Sequence, residues 1–229
     1  MTHSPNASAS TQRPAAILLL FAIGALIVLP LVIYAGFIFI DTGDGFYSKN
    51  VSGGMAPTIL NGDFLTSRRL APTPNGEPAV QRGDVVIHAW PPEPTRQYIK
   101  RVVGLPGDTL SMVDGQLTVN HRVLPEAYAH RDEPSADPVS DDFAWQRQFV
   151  VGPTAADTSK YVASRNNWGP LRVPRGAYFV LGDNRDNSLD SRYWGFVSRT
   201  QLQSRVRRVY FSRDSTGRIR WSRLGKRLQ

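Results

Sequence analysis

The chain has 229 residues, with 27 Lys and Arg against 19 Asp and Glu, and no Cys. This length holds one sizeable domain with an added segment and excludes a multidomain assembly; the missing thiols exclude cysteine nucleophiles, Cys-ligated zinc and disulfides. The net charge of +8 sits at one end, because the stretch from Arg199 onward has ten basic residues and one acid, Asp214, while the remainder is near neutral at −1.

Residues 1–13 begin MTHSPNASAS, small and polar, and are expected to form a disordered tail. Residues 14–41 are expected to form a transmembrane anchor. Ala15 to Ile40 is a run of 26 residues without a charge. As a helix it is roughly 39 Å long at about 1.5 Å per residue, more than the ~30 Å hydrocarbon core requires. A cleaved signal peptide has a shorter apolar region, of about 7–15 residues. A soluble-core helix would show a polar face, and there is none. Pro30 is tolerable within such a span. Arg13 precedes the run and Asp41 and Asp44 follow it, so the positive-inside rule favours a cytoplasmic N-terminus and an exported C-terminal domain.

From residue 46 to 229 the sequence breaks into short β-rich runs separated by Gly, Pro, Asn and Asp: DVVIHAW, QYIKRVV, GQLTVNHRVL, RQFVVG, GAYFVLGDN, and RVRRVYFSR with RIRWSRL. DSTG between the last two reads as a hairpin turn. No long 3.6-residue apolar period appears, so the fold class expected is mainly β, an all-β domain of twisted antiparallel sheets behind one N-terminal helix. Residues 126–164 turn polar and Pro-containing, an excursion or mobile loop.

Three segments stand together behind the span: SGGMAPTILNGDFL (Ser52 to Leu65), RGDVV with YIKRVVGLPGD (Arg82 to Val86, Tyr98 to Asp108), and VPRGAYFVLGDNRDNSLDSRYWGFV (Val173 to Val197). Each alone is ordinary turn chemistry. In this order they resemble bacterial signal peptidase I, a family of membrane-bound endopeptidases that remove signal peptides from exported proteins. The resemblance covers the anchor and about Phe46 to Gly225, loosest between Glu126 and Ser164. It implies serine–lysine chemistry, in which a neutral lysine takes the proton of a weakly nucleophilic serine. Neutralising an ordinary lysine at pH 7 costs about 4.6 kcal/mol, and apolar burial supplies part of this. Lys100 matches the family lysine. Strand alternation places it on the face opposite Ile99 and Arg101.

The nucleophile position departs from the family pattern. The family serine immediately precedes the Met of a Ser-Met-x-Pro-Thr motif, and Gly54 stands there before Met55. Glycine offers only a backbone N–H, which still donates to an oxyanion. The resemblance gives Ser52 an oxyanion role; as a substitute nucleophile it would sit about 6.6 Å from residue 54 in an extended chain. Such a displacement destroys near-attack geometry. Loss of the serine of a well-studied protease lowers kcat about two-million-fold. The resemblance further implies that Ser188 orients the lysine amine, that Asp190 and Arg192 buttress the site, that Asp183, Asn184 and Arg185 scaffold a tight turn, and that Pro57 and Thr58 shape the loop after residue 54. Asp190 and Arg192, two apart, would share a strand face.

Two readings follow. One is a membrane-anchored signal peptidase I-like protein acting on signal peptides of exported preproteins. The other is a catalytically inactive homologue that binds signal peptides or exported chains. No cofactor or metal is expected: His3, His88, His121 and His130 lack metal-ligand spacing and read as surface or turn residues, and GLPGD lacks the Lys-Ser/Thr of a phosphate loop. Membrane lipids are the expected partner of the basic tail, where Arg alternates with Tyr210, Phe211 and Trp221. Arg218, Arg220 and Arg223 would face the bilayer; an exported domain meets no nucleic acid. The location implied is the inner (cytoplasmic) membrane, single-pass, with the β domain on the periplasmic or extracellular side.

Overall fold

A computed structural model of the chain describes residues 13–42, 45–70, 80–132 and 137–228. Most of the expected N-terminal tail, including His3, and part of the polar excursion lie outside them. Two compact units are distinguished, residues 1–43 and 44–229. In the first, helix α1 (Arg13–Thr42) has 30 residues and contains Pro30. Its described apolar side chains are solvent-exposed, among them Phe21, Leu26 and Leu31. Side chains are described without a gap only over 21–36, and over the described residues alone no helix is long and apolar enough to cross a membrane.

The second unit is mainly antiparallel β. Its strands in chain order are β1 (Gly45–Lys49), β2 (Asp63–Arg69), β3 (Val85–Trp90), β4 (Glu93–Gly104), β5 (Thr109–Val113), β6 (Gln116–Val119), β7 (Arg122–Val123), β8 (Trp168–Arg172), β9 (Ala177–Leu181), β10 (Val197–Ser198) and β11 (Leu202–Ser212). A four-residue helix, α2 (Ser191–Trp194), precedes β10. A seven-stranded sheet is ordered β1-β2-β11-β3-β4-β9-β10, and a four-stranded sheet β7-β6-β5-β8.

Strand β3 is covered on both faces. Val85 and Ile87 pack with Met55, Ile59 and Leu65, while Val86 packs with Val102, Tyr178 and Val180 on the other side. A continuous apolar run is what such a central strand requires. His88 lies on the Val86 face and is fully buried, which corrects its expected surface role. GQLTVNHRVL is not one strand either. Asn120 and His121 both take positive φ, 50° and 64°, and turn the chain between β6 and β7.

RQFVVG is not a strand. Asp141–Phe149 forms a 3₁₀ helix capped by the Ser140 hydroxyl, which accepts from the Asp142 N–H. At three residues per turn, Phe143, Gln146 and Phe149 share one face. Phe143 is buried and Phe149 packs against the same core. The polar excursion is thus folded where described, and Trp145 Nε1 and Gln146 Nε2 both donate to the Arg192 carbonyl, at 2.9 and 3.2 Å.

The basic tail also differs from expectation. The DSTG turn forms, but its second arm is not a strand: Arg213 and Ile219 make one antiparallel bridge and Trp221–Arg223 is a 3₁₀ turn. Arg223 is buried, not lipid-facing. It donates to Asp63 at 2.5–3.2 Å and to the Thr58 carbonyl at 2.9 Å. Burial pushes the Asp63 carboxyl up, but hydrogen bonds from Arg223 and Ser212 outweigh it and hold the group below its usual range. Arg220 donates to the Asn61 carbonyl, while Arg218 is exposed and pairs with the nearby Asp214. Arg223→Ala is therefore expected to destabilise the domain by about 3 kcal/mol, because it strands a buried carboxylate. Arg218→Ala is expected to leave the urea midpoint of the solubilised protein unchanged.

Candidate active site

The loop between β1 and β2 carries position 54. Asn50, almost fully buried, clamps it by donating from Nδ2 to the carbonyls of Ser52 (2.7 Å) and Leu60 (2.9 Å). Met55 and Ile59 anchor it in the core. The chain turns here: Ala56 N–H donates to Gly53 C=O and Ile59 N–H to Met55 C=O. The extended geometry assumed for Ser52 and Gly54 thus stops at Gly53. Ser52 is exposed, with its Oγ 3.5 Å from Asn50 Oδ1.

The second wall is β4. Lys100 pairs across from Val86 and is 4% exposed. Its Nζ lies 5.6 Å from the Tyr98 ring centroid. Burial pushes the ammonium down to about 8, against the opposing charge of Asp190. The lysine thus loses more by desolvation than its nearest carboxylate restores.

The third wall is the turn after β9. Asp183 takes a bidentate pair from Arg101, at 2.8 and 2.7 Å, with both side chains buried. Asn184 N–H donates to the Gly54 carbonyl at 3.2 Å. A Cβ at Gly182 would collide with Ser188 Oγ and the Gly54 carbonyl, so only glycine lets the turn and the loop approach this closely. Asp190 and Arg192 are not strand neighbours. Asp190 caps α2, accepting from Arg192 N–H, and takes the Arg192 guanidinium at 2.8 and 2.9 Å. Burial alone would raise Asp190, but the charge and hydrogen bonds of Arg192 hold it low. Asp190 Oδ2 also accepts from Gly182 N–H at 3.0 Å, so a single carboxylate ties α2 to the glycine turn.

These walls meet at one point. A Cβ on Gly54 would lie 3.1 Å from Lys100 Nζ, 3.4 Å from the Asn187 carbonyl and 3.6 Å from Ser188 Oγ. Ser188 Oγ is buried and has no hydrogen-bond partner among the described residues. The point opens into a groove of about 500 Å³ whose lining includes Ser52, Gly54, Tyr98, Lys100, Asn187 and Ser188. A side chain at position 54 would meet an amine and a hydroxyl, the arrangement that activates a nucleophile. Glycine brings none.

Residues 19–211 match the model of a protein family, signal peptidase, peptidase S26. The chain belongs to that family. Among its relatives, signal peptidase I of Pseudomonas aeruginosa is 36% identical over 158 residues, 62% of this chain and 53% of that protein. Signal peptidase I of Bacillus licheniformis is 31% identical over 158 residues, 69% of this chain and 72% of that protein. The protein of the same name from Aquifex aeolicus is 28% identical over 191 residues, 70% and 73% of the two chains. The chain spans about half the length of the Pseudomonas relative. The signal peptidase match includes all three walls of the groove.

Two residues around this site, His88 and Glu126, were not assigned to it from the sequence. His88 stacks beside Tyr98 and Trp194, with ring centroids 6.3 and 5.5 Å away. Its Nδ1 donates to the Ala89 carbonyl, and burial pushes its pKa down to about 4. It therefore stays neutral beside Lys100 at neutral pH and adds no repelling charge. The apolar run around it was the signal for burial. Glu126 pairs with Arg185 at 2.7 and 2.5 Å and so ties the start of the excursion to the glycine turn; spacing gives no hint of a pair 59 residues apart.

Proposed function

We propose that this chain is a membrane-anchored member of the signal peptidase family that binds signal peptides of exported preproteins and, with Gly54 in place, does not cleave them. The observation that carries the reading is the point at position 54, where an amine and a buried hydroxyl without a partner among the described residues converge on a residue with no side chain. In this reading Lys100 is the general base of the family reaction, endoproteolytic removal of the signal peptide by a Ser/Lys dyad, and the Ser188 hydroxyl, which makes no bond to the amine here, is the group that would orient it once the point at position 54 is filled. Asp190 and Arg192 support both. The Gly54 N–H and Ser52 are left to hold the substrate carbonyl. Such stabilisation alone is worth far less than a nucleophile.

Helix α1 is the anchor in this reading. Its support is the uncharged run from Ala15 to Ile40 within a 30-residue helix and the exposure of its described apolar side chains, which water would not tolerate. The β domain then lies on the periplasmic or extracellular side of the cytoplasmic membrane. Membrane lipids are a second partner: Trp221 is 71% exposed and Ile219 39%, beside exposed Arg218, Lys226 and Arg227, and aromatic and basic groups together favour the interface.

The test uses the full chain in detergent with a fluorescent signal peptide and a preprotein. Saturable binding without product is the expected result. Lys100-dependent cleavage with Gly54 unchanged would sink the proposal, and loss of that cleavage in Ser52→Ala would identify the substitute nucleophile.

A further inference from the structure

The Lys100 amine faces the groove with its nearest charges already engaged. Asp190 is held by Arg192 and Asp183 by Arg101. The stacked His88 stays neutral through the neutral range. Lys100 itself makes no ion pair among the described residues, and no side chain at position 54 separates its Nζ from the groove. A desolvated amine without a counter-ion is the environment in which lysine acts as a nucleophile. In a protein with a serine at this place, the hydroxyl would stand between amine and substrate. Here the amine is the first nucleophilic atom next to that point.

We propose that Lys100 is a carbonyl-capture site: an aldehyde that enters the groove condenses with the Lys100 amine to an imine. The nitrogen lone pair attacks the carbonyl carbon, and a proton passes from nitrogen to oxygen to give a carbinolamine. The carbinolamine then loses one water, leaving a C=N bond where the C=O bond was. No oxidant or reductant enters this step. Ser188 Oγ, unpartnered within the described residues, is placed to donate to the departing oxygen.

The chemical preference is measurable because the chain has only four lysines, Lys49, Lys100, Lys160 and Lys226. At pH 7.5 an amine titrating at about 8 is roughly one quarter neutral, against about one part in a thousand for a solvated lysine. The full chain in detergent is treated briefly with propionaldehyde and cyanoborohydride at pH 7.5, and propylation is mapped by peptide mass spectrometry. Lys100 is expected to react at least about tenfold faster than Lys49, Lys160 and Lys226. In Lys100→Ala the label at the other three stays unchanged, and circular dichroism confirms that the variant is folded. Equal or slower labelling of Lys100 overturns the proposal, however exposed the other lysines are. The capture does not depend on signal-peptide binding, and excess signal peptide separates the two ideas. Preferential labelling that the peptide does not slow supports the reactive amine and counts against peptide binding. Slowed labelling at Lys100 alone supports both.

Discussion

If the proposed loss of cleavage at Gly54 holds, Gly54→Ser is expected to restore peptidase activity, with preprotein processing rising by several orders of magnitude. The expected size follows from the roughly million-fold loss that accompanies removal of a serine nucleophile. The backbone at Gly54 does not take a positive φ, so an L-residue fits it. Its new Cβ would be tight only against Lys100 Nζ, at 3.1 Å. That is the end of a flexible side chain, which yields by tenths of an ångström. The added hydroxyl would then sit between a buried amine and the Ser188 Oγ, which has no partner among the described residues. With the lysine held at about 8, freeing its lone pair at pH 7 costs about 1.4 kcal/mol, where an ordinary lysine costs about 4.6. The base works only when neutral, so kcat/KM of the serine variant should climb as pH rises towards 8 and level off above it. Adding Lys100→Ala to Gly54→Ser should abolish the gain. A folded serine variant that binds signal peptide and still fails to cleave at pH 9 would contradict this account of the site.

The parts of the site that were legible in the sequence are those fixed by local pattern. Alternation along QYIKRVV put Lys100 opposite Ile99, and Ile99 does join the Met55 core. Gly-Asp and Asn-rich stretches read as turns, and they are turns. The architecture followed from short β runs and a single long apolar helix. What stayed hidden is what separate segments make together. Arg101 meets Asp183 across 82 residues, and Arg185 meets Glu126 across 59. Asp190 and Arg192 look like strand neighbours by spacing, yet the Asp190 carboxylate caps a helix turn instead. RQFVVG has the apolar content of a strand, but Ser140 and the two aspartates before it start a 3₁₀ helix, and its period of three buries Phe143 and Gln146. The tail shows the same limit in its charges. Ten cations invite an electrostatic reading, but Arg208 and Arg223 are buried and Arg205 is paired with Asp84.

Asp190→Ala is expected to cost the domain about 3–5 kcal/mol, the usual range for removing one partner of a buried ion pair. Both side chains are completely buried, so the orphaned Arg192 guanidinium would reach no water. Its remaining bonds, to the Arg185 carbonyl at 2.7 Å and the Arg165 carbonyl at 3.4 Å, leave its charge uncompensated. The same change removes the cap of α2 and the acceptor of Gly182 N–H, so the glycine turn loses its tie to that helix. Asp190→Ala with Arg192→Met should recover much of the loss, because an apolar pair of similar volume avoids the stranded charge. A double-mutant cycle read by urea denaturation of the solubilised full chain measures the coupling. Stability recovered without function is the expected signature of the pair. In a Gly54→Ser background the double variant should fold yet cleave poorly, since the glycine turn that packs against Ser188 and the Gly54 carbonyl is no longer held. Additive losses in the cycle would mean that Asp190 serves the cap alone and that Arg192 is neutralised elsewhere.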